Sequence, residues 1–159
     1  MRSTLFFAFA AMATRTGLFL TGHHVQAFHF WPVHLLFLVL VTFFVGHFTL
    51  REDPETGLAE LMRSGMREAA IYALLLGIFI WVFFTFINVN EFPDRIALLV
   101  KGLVDSGHTE AEARAKVSGF FTPGTYSFLT FMCLFVGGAI NAVFFAFVHD
   151  KVLRRFAKR

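Results

Sequence analysis

Three stretches of the chain, Phe28–Leu50, Ala69–Val89 and Tyr126–Val148, carry no Asp, Glu, Lys or Arg over more than twenty residues each. A hydrocarbon core of ~30 Å is crossed by about 20 helical residues, so each stretch is long enough to span a bilayer. Strands of a membrane barrel alternate polar and apolar side chains. These runs do not alternate, and the pattern predicts helices. A fourth apolar run, Leu5–Leu20, is shorter and is interrupted by Arg15. Its front has a secretory-leader pattern: Arg2, the apolar Leu5 to Ala10, then Ala11-Met12-Ala13. We read it as a retained first span. The expected spans are about residues 4–21, 28–50, 67–90 and 125–149, in one membrane domain covering 1–159.

The polar connections between these runs have helical patterns of their own. Asp53-Pro54 reads as an N-cap followed by proline at the first helical position. Leu58, Leu61, Met62 and Met66 then recur at helical spacing, so an amphipathic interfacial helix is expected to run into the third span. After that span, Ile96, Leu99, Val100 and Leu103 form a stripe behind Pro93, and Ser106-Gly107 stops it. Thr109 with Glu112 forms a capping box for a second short helix ending near Ser118. A small outer helical hairpin over about 93–118 follows. The fold class is therefore all-α: a polytopic membrane protein with four transmembrane helices, an interfacial helix and an extramembrane hairpin.

Composition agrees with the pattern. The chain of 159 residues is 57% hydrophobic and 16% charged, with mean hydropathy +0.66. A soluble domain carries about 25% charged residues. Phenylalanine occurs 24 times, and it suits lipid-facing surface because it has no polar group to satisfy. Much of the phenylalanine in Phe79–Phe86 and Phe144–Phe147 is expected to face lipid. The net charge of +3 does not point to nucleic acid, because the basic residues collect at the ends of apolar runs. The lone cysteine, Cys133, allows no intramolecular disulfide and reads as a small buried hydrophobe.

Lys and Arg also set the orientation. Arg2 precedes the first span. Arg51, Arg63 and Arg67 lie after the second, and Lys151, Arg154, Arg155, Lys158 and Arg159 follow the fourth. The connection from Thr21 to Ala27 has none. Both termini are expected in the cytoplasm.

The layout resembles a known family. Its marks are the exit Asn90-Glu91-Phe92-Pro93-Asp94, the turn Asp105-Ser106-Gly107-His108-Thr109-Glu110, then Phe121-Thr122-Pro123-Gly124 and a basic tail. From about Thr49 onward it is similar to a bacterial four-helix inner-membrane family catalogued as a domain of unknown function, family four-one-nine-nine. The resemblance implies a four-helix membrane protein and supplies no reaction or catalytic residue.

Candidate chemistry is sparse. His34 and His47 are 13 residues apart, about 140° out of phase at 100° per residue, so one helix cannot offer both to a single haem. His23, His24 and His29 crowd the outer connection without a neighbouring carboxylate, and read as interfacial histidines rather than a metal site. Arg15 is the sharpest anomaly. It lies ~15 Å along the first span from Leu5, and a charge at that depth costs at least ~2.5 kcal/mol on insertion scales. Either it snorkels to the outer headgroups, or polar groups hold it; Asn141, Thr14, Thr16, Thr42 and carbonyls near Pro32 are the candidates. Gly138 and Ala142 form a small-xxx-small pair that admits another helix closely, with Asn141 beside the contact. The sequence has no GxSxG, HExxH or phosphate-loop motif. The expected function is thus non-enzymatic and without cofactor or metal. It is exercised through helix–helix association, as a homo-oligomer or with a membrane-protein partner as an accessory subunit. The competing expectation is an oligomeric transporter or channel with a polar path near Arg15 and Asn141.

Overall fold

The computed structural model describes residues 2–23 and 25–157; Met1, His24, Lys158 and Arg159 lie outside the described residues. Among the described residues there are helices and turns and no strand. Four helical segments are long and apolar enough to cross a membrane: Arg2–Leu20, Ala27–Glu52, Leu58–Ile87 and Pro123–Leu153. In chain order, α1 is Arg2–Leu20, α2 is Trp31–Glu52, α3 is Leu58–Val82, α4 is Glu91–Asp105, α5 is Glu110–Ser118 and α6 is Pro123–Val148. A 3-10 turn, Ala27–Phe30, leads into α2, and wider π turns, Phe83–Ile87 and His149–Leu153, extend α3 and α6.

Two helix ends use glycine where its conformational freedom is needed. At the end of α1, Gly22 has φ 78°, the Gly22 N–H donates to the Phe19 carbonyl and the His23 N–H to that of Leu18. At the end of α4, Gly107 has φ 99°, and the same pair of bonds joins Gly107 to Val104 and His108 to Leu103. This termination needs a left-handed residue just past the helix, which glycine adopts without a Cβ penalty.

The expected start of the interfacial helix at Pro54 is corrected. Asp53 closes α2, its N–H donating to the Thr49 carbonyl, and its Oδ1 accepts the Glu55 N–H at 3.0 Å. That local turn engages Asp53 in ending one helix rather than opening the next. The interfacial segment begins at Leu58 and is continuous with the third span, as one helix through Val82.

The chain forms two compact units. One comprises Met1–Leu76 with Phe131–Arg159, the other Gly77–Thr130. In the first, α1 runs antiparallel to α2, with Phe7 stacked on Phe44 at 5.6 Å between centroids. The α3 and α6 segments of this unit are antiparallel too. A Cβ built on Gly138 would lie 2.6 Å from the Ala69 Cβ, and one built on Gly65 would lie 2.9 Å from the Ala142 Cβ. Small residues on both helices thus let the backbones approach. Leu38 of α2 covers Gly137 and Gly138, and Gly46 of α2 faces the His149 ring, so α2 and α6 run parallel. Arg154 donates to the Thr56 carbonyl, tying the start of the basic tail to the α2–α3 connection.

The second unit is built on aromatic packing. Phe84 meets Phe92 at 5.0 Å and Tyr126 at 5.6 Å, both edge-on, and Phe83 and Phe84 are buried. Of the phenylalanines of 79–86, much of which is expected on lipid-facing surface, Phe86 is exposed, whereas Phe83 and Phe84 are buried. Their helical phase carries them onto this aromatic core. In α5, the Thr109 hydroxyl accepts the Glu112 N–H, and the Glu112 carboxylate accepts the Thr109 N–H at 3.1 Å, giving the capping box read from the sequence. Cys133 is exposed rather than buried. Thr130, Leu134 and Gly138 define the inward face of α6, and Cys133 lies about 100° of helical turn away from Leu134.

Candidate functional site

The first unit holds a polar cleft where the start of α1, the end of α2 and the first turns of α3 converge. It encloses 570 Å³ and is lined by Arg2, Ser3, Val45, Phe48, Thr49, Glu52, Ser64, Arg67 and Glu68. Three helices therefore contribute hydroxyls, while the guanidiniums come from α1 and α3 and the carboxylates from α2 and α3. Val45 and Phe48, one to two turns back from Glu52 along α2, make one wall apolar.

Glu68 anchors the floor. Its side chain is 1% exposed. The Thr4 hydroxyl donates to its carboxylate at 2.7 Å, and the Arg67 guanidinium lies 3.2 Å away while itself 68% exposed. A buried carboxylate is tolerated where it is paired and hydrogen-bonded, and Glu68 has both. Between α2 and α3, the Thr49 and Ser64 hydroxyls approach to 3.4 Å.

The sequence does not single out this site. Glu68 follows Arg67, and the pair resembles an ordinary solvated face. The available signal is register: Leu61, Gly65, Glu68, Ala69 and Tyr72 recur at the three- and four-residue spacing of one helix face, and all five are buried.

Arg15 lies in a second polar cluster of the same unit. It is 5% exposed. Its guanidinium donates to the Val25 carbonyl at 2.6 Å and lies 5.1 Å from the centroid of the Phe30 ring. The carbonyl belongs to the short connection between α1 and α2, so Arg15 fastens that connection to α1. Thr14 and Thr42, both expected candidates for holding it, turn their hydroxyls to carbonyls of their own helices. Phe30 also meets His34 edge-on at 4.9 Å, and the Tyr72 hydroxyl donates to the His34 carbonyl at 3.3 Å. His34 is buried, and its Nδ1 has no hydrogen-bond partner among the described residues.

The structure thus joins Arg15 and His34 through Phe30 and leaves the other sequence-selected residues elsewhere. His47 is exposed. His149 is fully buried over Gly46, with Nδ1 donating to the Phe145 carbonyl at 2.7 Å. Gly138 packs on α3 within the same chain. Asn141 is half-buried, next to the Ala142–Gly65 contact. Arg15 is 11 residues beyond Thr4 along α1, ~16 Å, whereas Asn141 lies near the level of Gly65 and hence of the Thr4–Glu68 bond. Arg15 and Asn141 therefore occupy opposite ends of this unit. Among the described residues, no group of three or more His, Cys, Asp or Glu side chains is placed to hold a metal ion.

No protein-family model matches the chain, and neither a curated protein nor a solved structure does.

Proposed function

We propose that this chain is a non-enzymatic protein of the bacterial inner membrane that acts by association within the bilayer, as a homo-oligomer or as an accessory subunit. One observation carries the reading. Along α6, Met132, Phe135, Val136, Ile140, Phe144 and Phe147 are all exposed, and the helix contains no charged residue from Pro123 to Val148. This surface presents bulky side chains suited to lipid or to another apolar helix. The small-residue face of the same helix is occupied internally by α3, so association uses the bulky side rather than the Gly138 side.

On this reading both termini lie in the cytoplasm. Arg2, Arg51, Arg63, Arg67, Arg154 and Arg155 lie towards the end of the first unit marked by the Thr4–Glu68 and Arg154–Thr56 bonds, and such clustering favours the cytoplasmic side. Kinship with the four-helix family belongs to the same proposal and rests on the turn sequences from Asn90 to Gly124.

Extraction in mild detergent followed by light-scattering mass determination tests the association. A protein mass above 18.0 kDa, from further copies or a stoichiometric partner, is expected. A single chain alone, in detergent and in nanodiscs, contradicts it.

A further inference from the structure

The cleft at the Arg2 end has features that lipid-facing surface does not need. It gathers two guanidiniums, three hydroxyls and two carboxylates in 570 Å³ against an apolar wall, a volume within the range of ligand pockets. The charges are arranged by sign. Arg2 and Ser3 open α1, where unpaired N–H groups and the helix dipole favour an anion, and Arg67 projects from α3 with most of its side chain exposed. Arginine is well suited to phosphate because its planar fork offers paired donors. On the other side, Glu52 ends α2, where the dipole favours a cation. Glu68 is already engaged with Thr4 and Arg67, so Glu52 is the carboxylate at the exposed rim.

We infer that the cleft binds the zwitterionic headgroup of a phospholipid, its phosphodiester on Arg2, Arg67 and the hydroxyls of Ser3 and Ser64, and its primary ammonium at Glu52. A phosphate alone would leave the acid at the rim unmatched, and an amine alone would leave Arg2 unmatched and the largely exposed Arg67, which pairs with Glu68, with donors to spare. A molecule carrying both groups a few bonds apart satisfies the two ends together. Val45 and Phe48 lie about 6–10 Å back from Glu52 along α2, towards the membrane interior, where the glycerol and the first acyl carbons of a seated lipid would lie. This site rests on the membrane placement proposed above and is independent of whether the chain associates with others.

The test uses the full chain in mild detergent, its thermal midpoint read with added phosphatidylethanolamine, with phosphatidylglycerol at the same mole fraction, or with water-soluble glycerophosphoethanolamine. The expected result is a midpoint raised further by phosphatidylethanolamine than by phosphatidylglycerol, with little effect of the soluble headgroup. In the Arg2→Gln, Arg67→Gln double variant the response to phosphatidylethanolamine should fall by at least half. In Glu52→Gln the preference for it over phosphatidylglycerol should disappear. Equal responses of the parent protein to the two lipids overturn the inference without recourse to any variant. So does an undiminished response in the folded double arginine variant, and so does a full response to the soluble headgroup, which would assign the cleft to a free phosphodiester. Particle mass recorded on the same samples reports association separately, so either reading can fail while the other stands.

Discussion

Gly138 of α6 and Ala69 of α3 face each other so closely that a Cβ on the glycine would lie 2.6 Å from that of the alanine. Four residues along each helix, in opposite directions, Ala142 meets Gly65. Gly138→Ile and Gly65→Val should each lower stability by about 1–3 kcal/mol, the usual cost of overpacking. Leu98→Ala, at a side chain 68% exposed and away from the α6 face proposed for association, should change it by less than about 0.5 kcal/mol. Thermal unfolding in detergent reads all three, and equal effects at Gly138 and Leu98 would place the close contact elsewhere.

Arg15 is expected to be a stabilising residue. Arg15→Leu leaves the Val25 carbonyl without its guanidinium donor, a loss of about 1–3 kcal/mol for a buried polar group. Arg15→Lys retains a donor but loses the flat cation over Phe30 and should fall between Leu and the parent. If both variants unfold at the parent temperature in detergent and in nanodiscs, Arg15 serves only as an anchor at the headgroups.

The Thr4–Glu68 bond ties the start of α1 to α3 at 2.7 Å. Thr4→Val and Glu68→Gln should each destabilise, and the pair should be non-additive by about 0.5–3 kcal/mol in a double-mutant cycle. Additive effects would show that the two side chains do not depend on one another.

Much of this architecture is legible in the chain itself. Four uncharged or nearly uncharged runs give four spans, and Thr109-x-x-Glu112 and Gly107 mark helix ends because capping is a local event written in adjacent residues. Arg15 announces itself because a charge inside an apolar run is conspicuous. Glu68 does not, because it sits at the margin of its run beside Arg67, where charge is ordinary. Its role depends on which helix face turns inward and on Thr4, 64 residues away. Gly138 reads as a packing residue from its spacing to Ala142, yet only tertiary structure supplies Gly65 and Ala69 as its partners within the chain. Asp53-Pro54 misleads for a related reason: the same pair of residues can open a helix or close a turn, and the Asp53 N–H bond to Thr49 decides between them.

The α5 capping box should be sensitive to acid. The Thr109 side chain, followed by the Thr109 backbone N–H, hydrogen-bonds to Glu112 and holds its carboxyl below the usual carboxylate range. The ionised form is thus favoured in the folded state. Its contribution is present in full above the carboxylate pKa of the unfolded chain and is lost as pH falls through the depressed folded value. The protection factor of the Thr109 amide, its exchange measured against the intrinsic rate at each pH, should fall over that interval. Glu112→Gln should remove the pH dependence of that protection, and its persistence in that variant would assign the effect to another group.

The proposed topology has four spans with both ends on the cytoplasmic side, and single-cysteine labelling in spheroplasts distinguishes it from its inverse. Cys133 is first replaced by alanine, since the native thiol is exposed on α6. Cysteine introduced at Gln26, in the connection between α1 and α2, or at Ser106, in the α4–α5 turn, should react with a membrane-impermeant maleimide. Cysteine at Gly57 or Ala157 should react only after the membrane is opened. Labelling of Gly57 from outside an intact membrane, with Gln26 protected, would invert the topology and contradict the account.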